Sequence, residues 1–532
     1  MTDVDALPSL DEALQQLDQV ERGCSTDTRI AQTRVALEAN ERLARDRARV
    51  DTYLGHLGGK DMFRPIYGMG RFPHGLPLAL PPYLIHILDA SARVLLAFTR
   101  QELREHGPQY LIDRAPKGWL APETAERLHA HYLTTEPDLA FDVLVQGVGS
   151  RRGTSFEELK KTGDMLQAKL LEAQSVDTYY GWYREYLAGS RLVGLGSDCR
   201  FRLEAGAGGG PLSDPELDAQ VLSGLQHPHQ NDPGSVVFLE IDPDEQPSAQ
   251  NLVFMAEAMS GGDMARRPLI LDPRDLELRG DRLYCKRPGQ ERELKKVISR
   301  LVDVDLQSYI KAREKAGEHE VLDRLRRIFA LPQLWGDLNK HLMGFYLINK
   351  ATLTALSQKT QMNVLVPSRM ITAEDVQSLR RDPARLKSIA IKPLLGMSAK
   401  GVEIGPTLEQ LEQAVAREPM LMQDLFWATP LMPDIMGDID DPDVKAGLCS
   451  ETRLLMHGGS PSAQSNSKRA RTIGVFSRTH FQSADHRRRI KNDRAGRGWY
   501  SNIGAILAVK AELVLGDRND AGVGMSPVYW ID

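Results

Sequence analysis

The pattern of apolar residues changes near residue 235, and this change constrains the fold more than any other feature. Before it, residues 1–55 repeat apolar side chains at helical spacing, with charged residues around the stripe. After it, the strand-like segment SVVFLEID (235–242) opens a stretch in which short apolar runs alternate with helical segments. Alternation of this kind is typical of an α/β layer. The sequence therefore predicts a mixed α/β (α+β) protein whose N-terminal part is mostly helical.

The chain is long enough for more than one hydrophobic core. Its 532 residues exceed the size at which a single core stops growing, about 250–300 residues. The stretch EAGAGGGPLSDPEL (204–217) has the composition of a linker or a surface loop. We predict a mostly helical region over 1–230 that contributes to substrate binding, an α/β domain over 231–330, and a nucleotide-binding and catalytic part over 331–532.

Three shorter segments carry specific structural predictions. The periodicity of SFEELKKTGDMLQAKLLEAQ (155–174) predicts a helix, whereas FDVLVQ (141–146) is strand-like. In the middle region, ELRGDRLYCK (277–286) predicts a hairpin that turns at Gly280 and Asp281. These segments give the fold prediction definite boundaries that a structure can test.

Charge and cysteine content argue against several classes of function. The formal net charge of −5 and the pI of about 6.3 give no reason to expect nucleic acid or an anionic membrane as a partner. The four cysteines form no CxxC pair, which favours reduced thiols over a disulfide framework or a zinc site. No apolar run is long enough for a membrane helix, and the acidic N-terminus does not have the character of a signal peptide. The sequence predicts a soluble, cytoplasmic protein without a P-loop.

A lysine at the end of an apolar strand carries the clearest chemical signal. Residues 388–405 read SIAIKPLLGMSAKGVEIG, in which Lys392 ends an apolar arm and precedes a small-residue loop over Gly396–Gly401. Burying a lysine is costly unless an anion pairs with it, and the N–H groups of a glycine-containing loop bind anions. The pattern favours a phosphate site. The alternative is an exposed edge-strand lysine beside an ordinary hairpin turn.

Segments on either side add an adenine contact and a second lysine. EPMLMQDLF is an apolar strand that ends in Gln423, Asp424 and Leu425, and its backbone carbonyl and N–H groups suit the edge of an adenine ring. Upstream, Lys350 stands at the start of a predicted helix. These segments strengthen the prediction of an ATP site.

Segments further downstream supply acidic, basic and amide side chains. In SETRLLMH, Glu451 and Arg453 are two residues apart and therefore lie on one face of a strand. Arg478 follows in the strand-like TIGVFSR, and Asn502 lies in WYSNIGAIL. These residue types are suited to holding a metal ion and a transferring phosphate.

In this order, the motifs INK, IKP, GMSAKGV, MQDLF, ETR and SNIG resemble those of the ATP-grasp enzymes. The resemblance runs from about residue 340 to 505, and GDRLYCKRPGQERELKKVISRLVDVD resembles the corresponding segment of the glutathionylspermidine-synthase-like branch. It implies an ATP-dependent carboxylate–amine ligase that forms an acyl phosphate and releases ADP and phosphate. The expected partners are small-molecule carboxylate and amine substrates, without nucleic acid or membrane, and a homodimer is compatible with the sequence.

The resemblance also implies roles for individual residues. Arg453 and Arg478 would be catalytic, close to the γ-phosphate and the acyl phosphate. Glu451, Asn502 and Asp532 would hold Mg²⁺, which prefers oxygen ligands. A larger set would bind ATP: Lys350, Lys392, Gly396, Met397, Ser398, Ala399, Lys400, Gly401, Gln423, Asp424 and Leu425.

One motif of the family is missing from its expected place. Family members usually complete the metal site with a strand reading acidic-x-Asn, whereas this chain ends in SPVYWID, with Asp532 and no Asn after it. Because of this departure, an ATP-binding but inactive protein is an alternative to the ligase. A kinase-like phosphotransferase with the same fold is a second alternative.

Overall fold

The structure, a computed structural model, describes the chain in segments separated by gaps. The described residues are 7–46, 48–49, 52–53, 56, 78–114, 122–137, 139–151, 153–174, 181, 183–185, 188, 232–244, 246, 249–301, 303–329, 348, 350–394, 402–417, 420–433, 446–457, 471–481 and 524–529.

The N-terminal region starts with helices and ends with two long strands. Its helices are α1 (Leu10–Gly23), α2 (Thr26–Arg45), α3 (Pro82–His106), α4 (Gln109–Arg114), α5 (Pro122–Thr134) and α6 (Phe156–Thr162). Its strands are β1 (Leu78–Ala79), β2 (Leu139–Gly147) and β3 (Leu166–Gln174). Ser9 starts α1 through a reciprocal capping box with Glu12, whose backbone N–H donates to the Ser9 hydroxyl.

The prediction of one helix over 155–174 is wrong in its second half. Ser155 caps α6 as expected, but Gly163 adopts φ 66° in the left-handed region and ends the helix after Thr162. The following residues form β3, which pairs antiparallel with β2. Apolar residues at helical spacing were outweighed here by the cross-strand partners that β2 offers. The strand predicted over 141–146 is confirmed as part of β2.

The middle region has the α/β layer that the sequence predicts. Its strands are β4 (Val236–Leu239), β5 (Leu269–Leu271), β6 (Leu276–Arg279), β7 (Arg282–Cys285), β8 (Arg292–Leu294) and β9 (Lys296–Ser299), and its helices are α7 (Ala249–Ser260), α8 (Asp303–Lys315) and α9 (His319–Phe329). β4 lies between β5 and β9, and all three are parallel. β6 and β7 form the predicted hairpin, which turns at Gly280 with φ 66°.

The C-terminal part contains a small antiparallel sheet. Its helices are α10 (Lys350–Lys359), α11 (Ala373–Arg381) and α12 (Leu408–Arg417), and its strands are β10 (Ser368–Met370), β11 (Ile389–Pro393), β12 (Glu403–Ile404), β13 (Met420–Asp424), β14 (Pro430–Met432), β15 (Leu448–His457), β16 (Arg471–Phe481) and β17 (Gly524–Tyr529). The strands β10, β13, β11 and β12, in that order, are the small sheet. Ile389 and Ile391 pack with Val376 of α11 and Leu411 of α12, which cover one side of it.

The large sheet combines strands of the N-terminal and C-terminal parts of the chain. Its order is β1-β17-β16-β15-β2-β3, with β14 also paired to β15. β2 and β3 of the N-terminal region therefore lie in one sheet with strands of the last hundred residues. The sequence did not predict this sharing, because each strand shows only its own pattern and not its partner. The boundaries at 230 and 330 stay a prediction.

The two faces of the large sheet differ in chemistry. On one face, alternate residues of three strands enter the main hydrophobic core, namely Phe141 and Val143 of β2, Leu454 of β15 and Val475 of β16. The other face carries the charged residues of the same strands. The mixed α/β class predicted from the sequence is confirmed. Among the described residues no helix is long and apolar enough to cross a membrane.

Candidate functional site

Lys392 lies on β11, the strand predicted for it, inside the small sheet. β11 pairs with β13 on one side, where Lys392 is opposite Leu421, and with β12 on the other. The alternative of an edge-strand lysine is therefore wrong. The Lys392 Nζ donates a hydrogen bond to the carbonyl oxygen of Leu171 on β3, at 3.2 Å. This bond joins the small sheet to the large one.

Burial lowers the pKa of Lys392 to about 8. The carboxylate of Glu172 acts in the opposite direction, and the ammonium of Lys350 lowers the pKa further. A buried ammonium whose hydrogen-bond acceptor, among the described residues, is a neutral carbonyl gains strongly from an incoming anion. Lys392 is thus suited to binding a phosphate group.

Lys350 is the first residue of α10, as the sequence predicts, and it reaches the same end of β11. Its Nζ donates to the carbonyl oxygen of Pro393 at 3.3 Å. Both ammonium groups thus surround the point where the chain leaves β11 towards the predicted phosphate loop. That loop, which comprises Gly396, Met397, Ser398, Ala399, Lys400 and Gly401, lies outside the described residues.

Gln423, Asp424 and Leu425 lie at the end of β13, where the sequence places the adenine contact. The strand is confirmed, but two of its last N–H groups already have partners. Asp424 donates to the carbonyl of Pro367 at 3.2 Å, and Leu425 donates to that of Ser388 at 2.8 Å. Hydrogen bonds from these two groups to an adenine ring would require those partners to separate.

An apolar cluster follows this strand and lies beside β3. Leu144, Ala428 and Cys449 are buried together, and Leu171 and Phe426 pack against them. We call these five residues the apolar cluster. Leu171 belongs to it and also supplies the carbonyl that Lys392 contacts. The apolar cluster therefore lies next to the carbonyl group that the Lys392 ammonium contacts.

Arg453 of β15 forms a buried ion pair with Asp142 of β2. The two residues are direct cross-strand neighbours, and both side chains are 4% exposed. The guanidinium contacts both carboxylate oxygens, Nε with Oδ1 and Nη2 with Oδ2. The sequence had placed Arg453 near a phosphate. It offered no signal for Asp142, because the pairing joins residues 311 positions apart.

Glu172 of β3 is the direct neighbour of Asp142 on the other side of β2. Opposed residues of an antiparallel pair point to the same face, so two carboxylates and one guanidinium form a row across three strands. Opposed like charges are destabilising unless a cation lies near them. No motif pointed to Glu172 in the sequence. The available signal was the pattern Glu172-Ala173-Gln174, acidic-x-amide, which is similar to the acidic-x-Asn strand expected from the ATP-grasp resemblance.

Glu451 occupies the next row on the same face. It is 4% exposed, and its cross-strand neighbours are Leu144 on β2 and Arg478 on β16. The backbone of Arg478 is described and its side chain is not. Asn502 and Asp532, the other two predicted metal ligands, lie outside the described residues. The predicted neighbourhood of Glu451 and Arg453 on one strand face is confirmed, and their roles stay predictions.

β3 is where the large sheet contacts the part of the chain that carries the lysines. The Leu170 N–H donates to the carbonyl of Val364 at 2.7 Å, and Lys169 Nζ donates to that of Asn363. The register of β2 and β3 shifts between Asp142 and Val143, so Leu171 is an extra residue without a cross-strand partner. Its carbonyl is the one that accepts from Lys392.

Two other polar clusters compensate their own charges. At the end of β4 and β5, Glu240 pairs with Arg300 (Oε2 to Nε 3.3 Å) and Asp272 with Arg274 (Oδ1 to Nε 2.8 Å). On α3, Glu102, Glu105 and His106 are close enough together for a metal. Lys359 of α10 supplies a positive charge there, with its Nζ 2.5 Å from Glu102 and 3.8 Å from Glu105.

No protein-family model matches the chain, and no curated protein matches its sequence. Several solved structures match the chain, and two of them are described here. One is a glutathione synthetase-like effector (GSS30) from Globodera pallida in its apo form, with 10% identity and a TM-score of 0.46 over 81% of this chain and 93% of that chain. The other is the ATP-grasp ligase PsnB complexed with minimal precursor, Mg and ADP, with 16% identity and a TM-score of 0.25 over 44% of this chain and 88% of that chain. Both scores lie below 0.5, so the assignment of the site depends on the chain's own residues.

Proposed function

We propose that the chain is an ATP-dependent ligase that joins a small-molecule carboxylate to an amine through an acyl phosphate. One observation supports this most: two ammonium groups and a row of carboxylates meet at β3. Lys350 and Lys392 flank the end of β11, and the carboxylate of Glu172 is close enough to Lys392 to oppose the lowering of its pKa by burial. A triphosphate with its metal ion needs both charges, ammonium groups for the phosphates and carboxylates for Mg²⁺.

The lysines would bind the phosphates of ATP. A phosphate oxygen would replace the Leu171 carbonyl as the acceptor for Lys392, which exchanges a neutral partner for a charged one. The apolar cluster would cover the adenine ring. The segment Gly396–Gly401, which follows β11 in the sequence, would cover the phosphates according to the family pattern.

Arg453 contacts both oxygens of Asp142, so Glu172 is the carboxylate of this row that would offer an oxygen to Mg²⁺, which prefers such ligands. We assign the ion to Glu172, which lies beside Lys392. When bound, Mg²⁺ neutralises charge on the phosphate oxygens during transfer. Glu451 is a separate candidate, since it lies two strands from β3, about 10 Å at ordinary strand spacing. Asn502 and Asp532 remain proposed ligands from the family pattern.

In the proposed reaction a substrate carboxylate oxygen attacks the γ-phosphorus, and ADP leaves. The amine nitrogen then attacks the acyl carbon of the acyl phosphate, and phosphate leaves. The chain's task is electrostatic, because positive groups fixed near the transferring phosphoryl group lower the barrier. Lys350 and Lys392 would hold the leaving ADP. Arg478, whose backbone is opposite Glu451, would stabilise the acyl phosphate.

The test is a screen of small carboxylic acids and amines for ATP-dependent phosphate release. We expect release only when both an acid and an amine are present, with ADP as the spent nucleotide on chromatography. Glu172→Gln keeps the side-chain shape and removes the charge, and it should abolish most of the release. AMP as the main product would contradict the proposal, and a phosphorylated acid or alcohol without condensation would identify a kinase-like phosphotransferase.

An ATP-binding protein without turnover is the second candidate. It is favoured by one observation, the engagement of both Asp142 oxygens by Arg453. If the chain binds ADP and releases no phosphate with any acid and amine pair, this second function replaces the first.

A further inference from the structure

Lys169 of β3 carries a half-buried ammonium beside the apolar cluster, and the proposed reaction does not use it. Its direct cross-strand neighbour on β2 is Leu144, a member of the cluster, so the two side chains share one face of the large sheet. The Lys169 Nζ donates to the backbone carbonyl oxygen of Asn363. Burial lowers the pKa of Lys169, and among the described residues no carboxylate opposes this effect. The ammonium therefore has N–H groups to offer to a ligand that lies on the cluster.

The loop that follows α10 connects Lys169 to the predicted adenine strand, β13. It runs beside β3, where the Leu170 N–H donates to the carbonyl of Val364 at 2.7 Å. It then reaches the end of β13, where the Asp424 N–H donates to the carbonyl of Pro367 at 3.2 Å. The N–H group that the sequence assigned to the adenine edge is thus engaged by this loop, and Lys169 is a donor on the opposite side of the same loop.

The Lys169 ammonium and the Asn363 carbonyl together match the edge of an adenine ring. The hydrogen bond between them places a donor directly next to an acceptor. Adenine presents the complementary pair, with its amino group as the donor and a neighbouring ring nitrogen, N7 or N1, as the acceptor. An ammonium has three N–H donors and a carbonyl has two lone pairs, so each group can bind the ring and keep its present partner.

We propose that Lys169 recognises the adenine base, by donating to a ring nitrogen while the Asn363 carbonyl accepts from the amino group. This inference rests on the proposed function, in which the apolar cluster covers the ring. It makes Lys169 a residue that determines nucleotide specificity. It also leaves the hydrogen bonds at the end of β13 unbroken when the nucleotide binds.

Isothermal titration calorimetry of the full chain with ADP analogues tests the contact. 1-Deaza-ADP and 7-deaza-ADP each replace one ring nitrogen by C–H. One of them should bind about tenfold more weakly than ADP, as expected when a hydrogen bond to a charged donor is lost. Lys169→Met keeps the length of the side chain and should also weaken ADP binding about tenfold. For that analogue the two losses should not add, because both changes remove the same hydrogen bond.

Lys161→Met is the matched control, because Lys161 is an exposed lysine of α6. It should bind ADP and both analogues as the unaltered chain does. Additive losses for both analogues, or an unchanged ADP affinity in Lys169→Met, would overturn the inference and leave the proposed function intact. Equal affinities of the unaltered chain for ADP and both analogues would also overturn it, which decides the question even if Lys169→Met does not fold. A chain that binds no ADP would remove the proposed function and this inference together.

Discussion

The small sheet and the large sheet supply opposite charges to the site, and they are built in opposite ways. The small sheet takes its strands from residues 368–424. Lys392 on its strand β11 contacts the carbonyl of Leu171, and Lys350 on the adjacent helix α10 contacts that of Pro393. The large sheet takes its strands from residues 78–529, and its charged side chains contact each other, as Arg453 and Asp142 do. A lysine bound to a carbonyl can be exchanged without leaving a buried charge behind. Substituting one member of the ion pair leaves the charge of the other member buried. Substitutions in the large sheet should therefore lower the stability of the fold, and substitutions of the lysines should lower the affinity for nucleotide.

The largest effect should come from breaking the ion pair in the large sheet. Asp142→Asn removes the carboxylate charge that the buried guanidinium of Arg453 contacts, which lowers the free energy of unfolding by about 3–5 kcal/mol. Denaturant titration followed by circular dichroism measures this loss. The double variant with Arg453→Met should recover most of it. A single variant as stable as the unaltered chain would remove the contrast between the two sheets.

In the small sheet, Lys392→Ala should weaken ADP binding at least about a hundredfold, in the range seen when one electrostatic stabiliser is removed. The unfolding midpoint should change little, since among the described residues the Lys392 ammonium loses a single hydrogen bond, to the carbonyl oxygen of Leu171. Isothermal titration calorimetry with ADP gives the affinity. Lys359→Ala is the control, because Lys359 lies at the other end of α10 from Lys350 and pairs with Glu102. Equal affinities of the two variants would contradict the assignment of Lys392.

The two metal candidates in the large sheet can be separated by rate. Glu172→Gln should lower turnover about a hundredfold, because charge on the transferring group is greatest in the transition state. Glu451→Gln should lower turnover about tenfold, because the Glu451 charge lies one row from Glu172 and acts on the transferring group from a distance. Steady-state kinetics over a Mg²⁺ series compares the two. A larger loss in Glu451→Gln, with altered Mg²⁺ dependence, would return the ion to the ligand that the sequence suggested.

The smallest expected effect is a pH dependence confined to the small sheet. Because burial lowers the pKa of Lys392 to about 8, the ammonium is charged below that pH and neutral above it. Phosphate binding favours the charged form, so ADP affinity should fall as the pH rises through about 8, by about tenfold per pH unit above it. Lys392→Arg keeps its charge and should bind ADP with a flat profile over pH 7–9. A flat profile in the unaltered chain would show that Lys392 does not contact the phosphates.

The sequence predicted individual strands and helices better than the pairing between them, for a physical reason. The strand that carries Lys392, the helix that begins at Lys350 and the strand that ends at Asp424 each depend on contiguous residues, and each is confirmed. Asp142 and Glu172 belong to the candidate site because of their cross-strand neighbours. Pairing between strands that are distant in the sequence leaves no local sequence pattern. The helix predicted across Gly163 failed in the same way, because its second half finds partners on β2.

The extra residue in β3 acts as a spacer that sets which way the strand's side chains point. Leu171 has no partner on β2, and Lys169 and Glu172, three positions apart, still lie opposite Leu144 and Asp142 on one face. Removing one residue there would restore an even register and turn either the lysine or the glutamate towards the hydrophobic core. The length of this strand is therefore as strongly constrained as its composition. A chain of the same fold that lacks the spacer would need a different arrangement of charges to bind the same ligand.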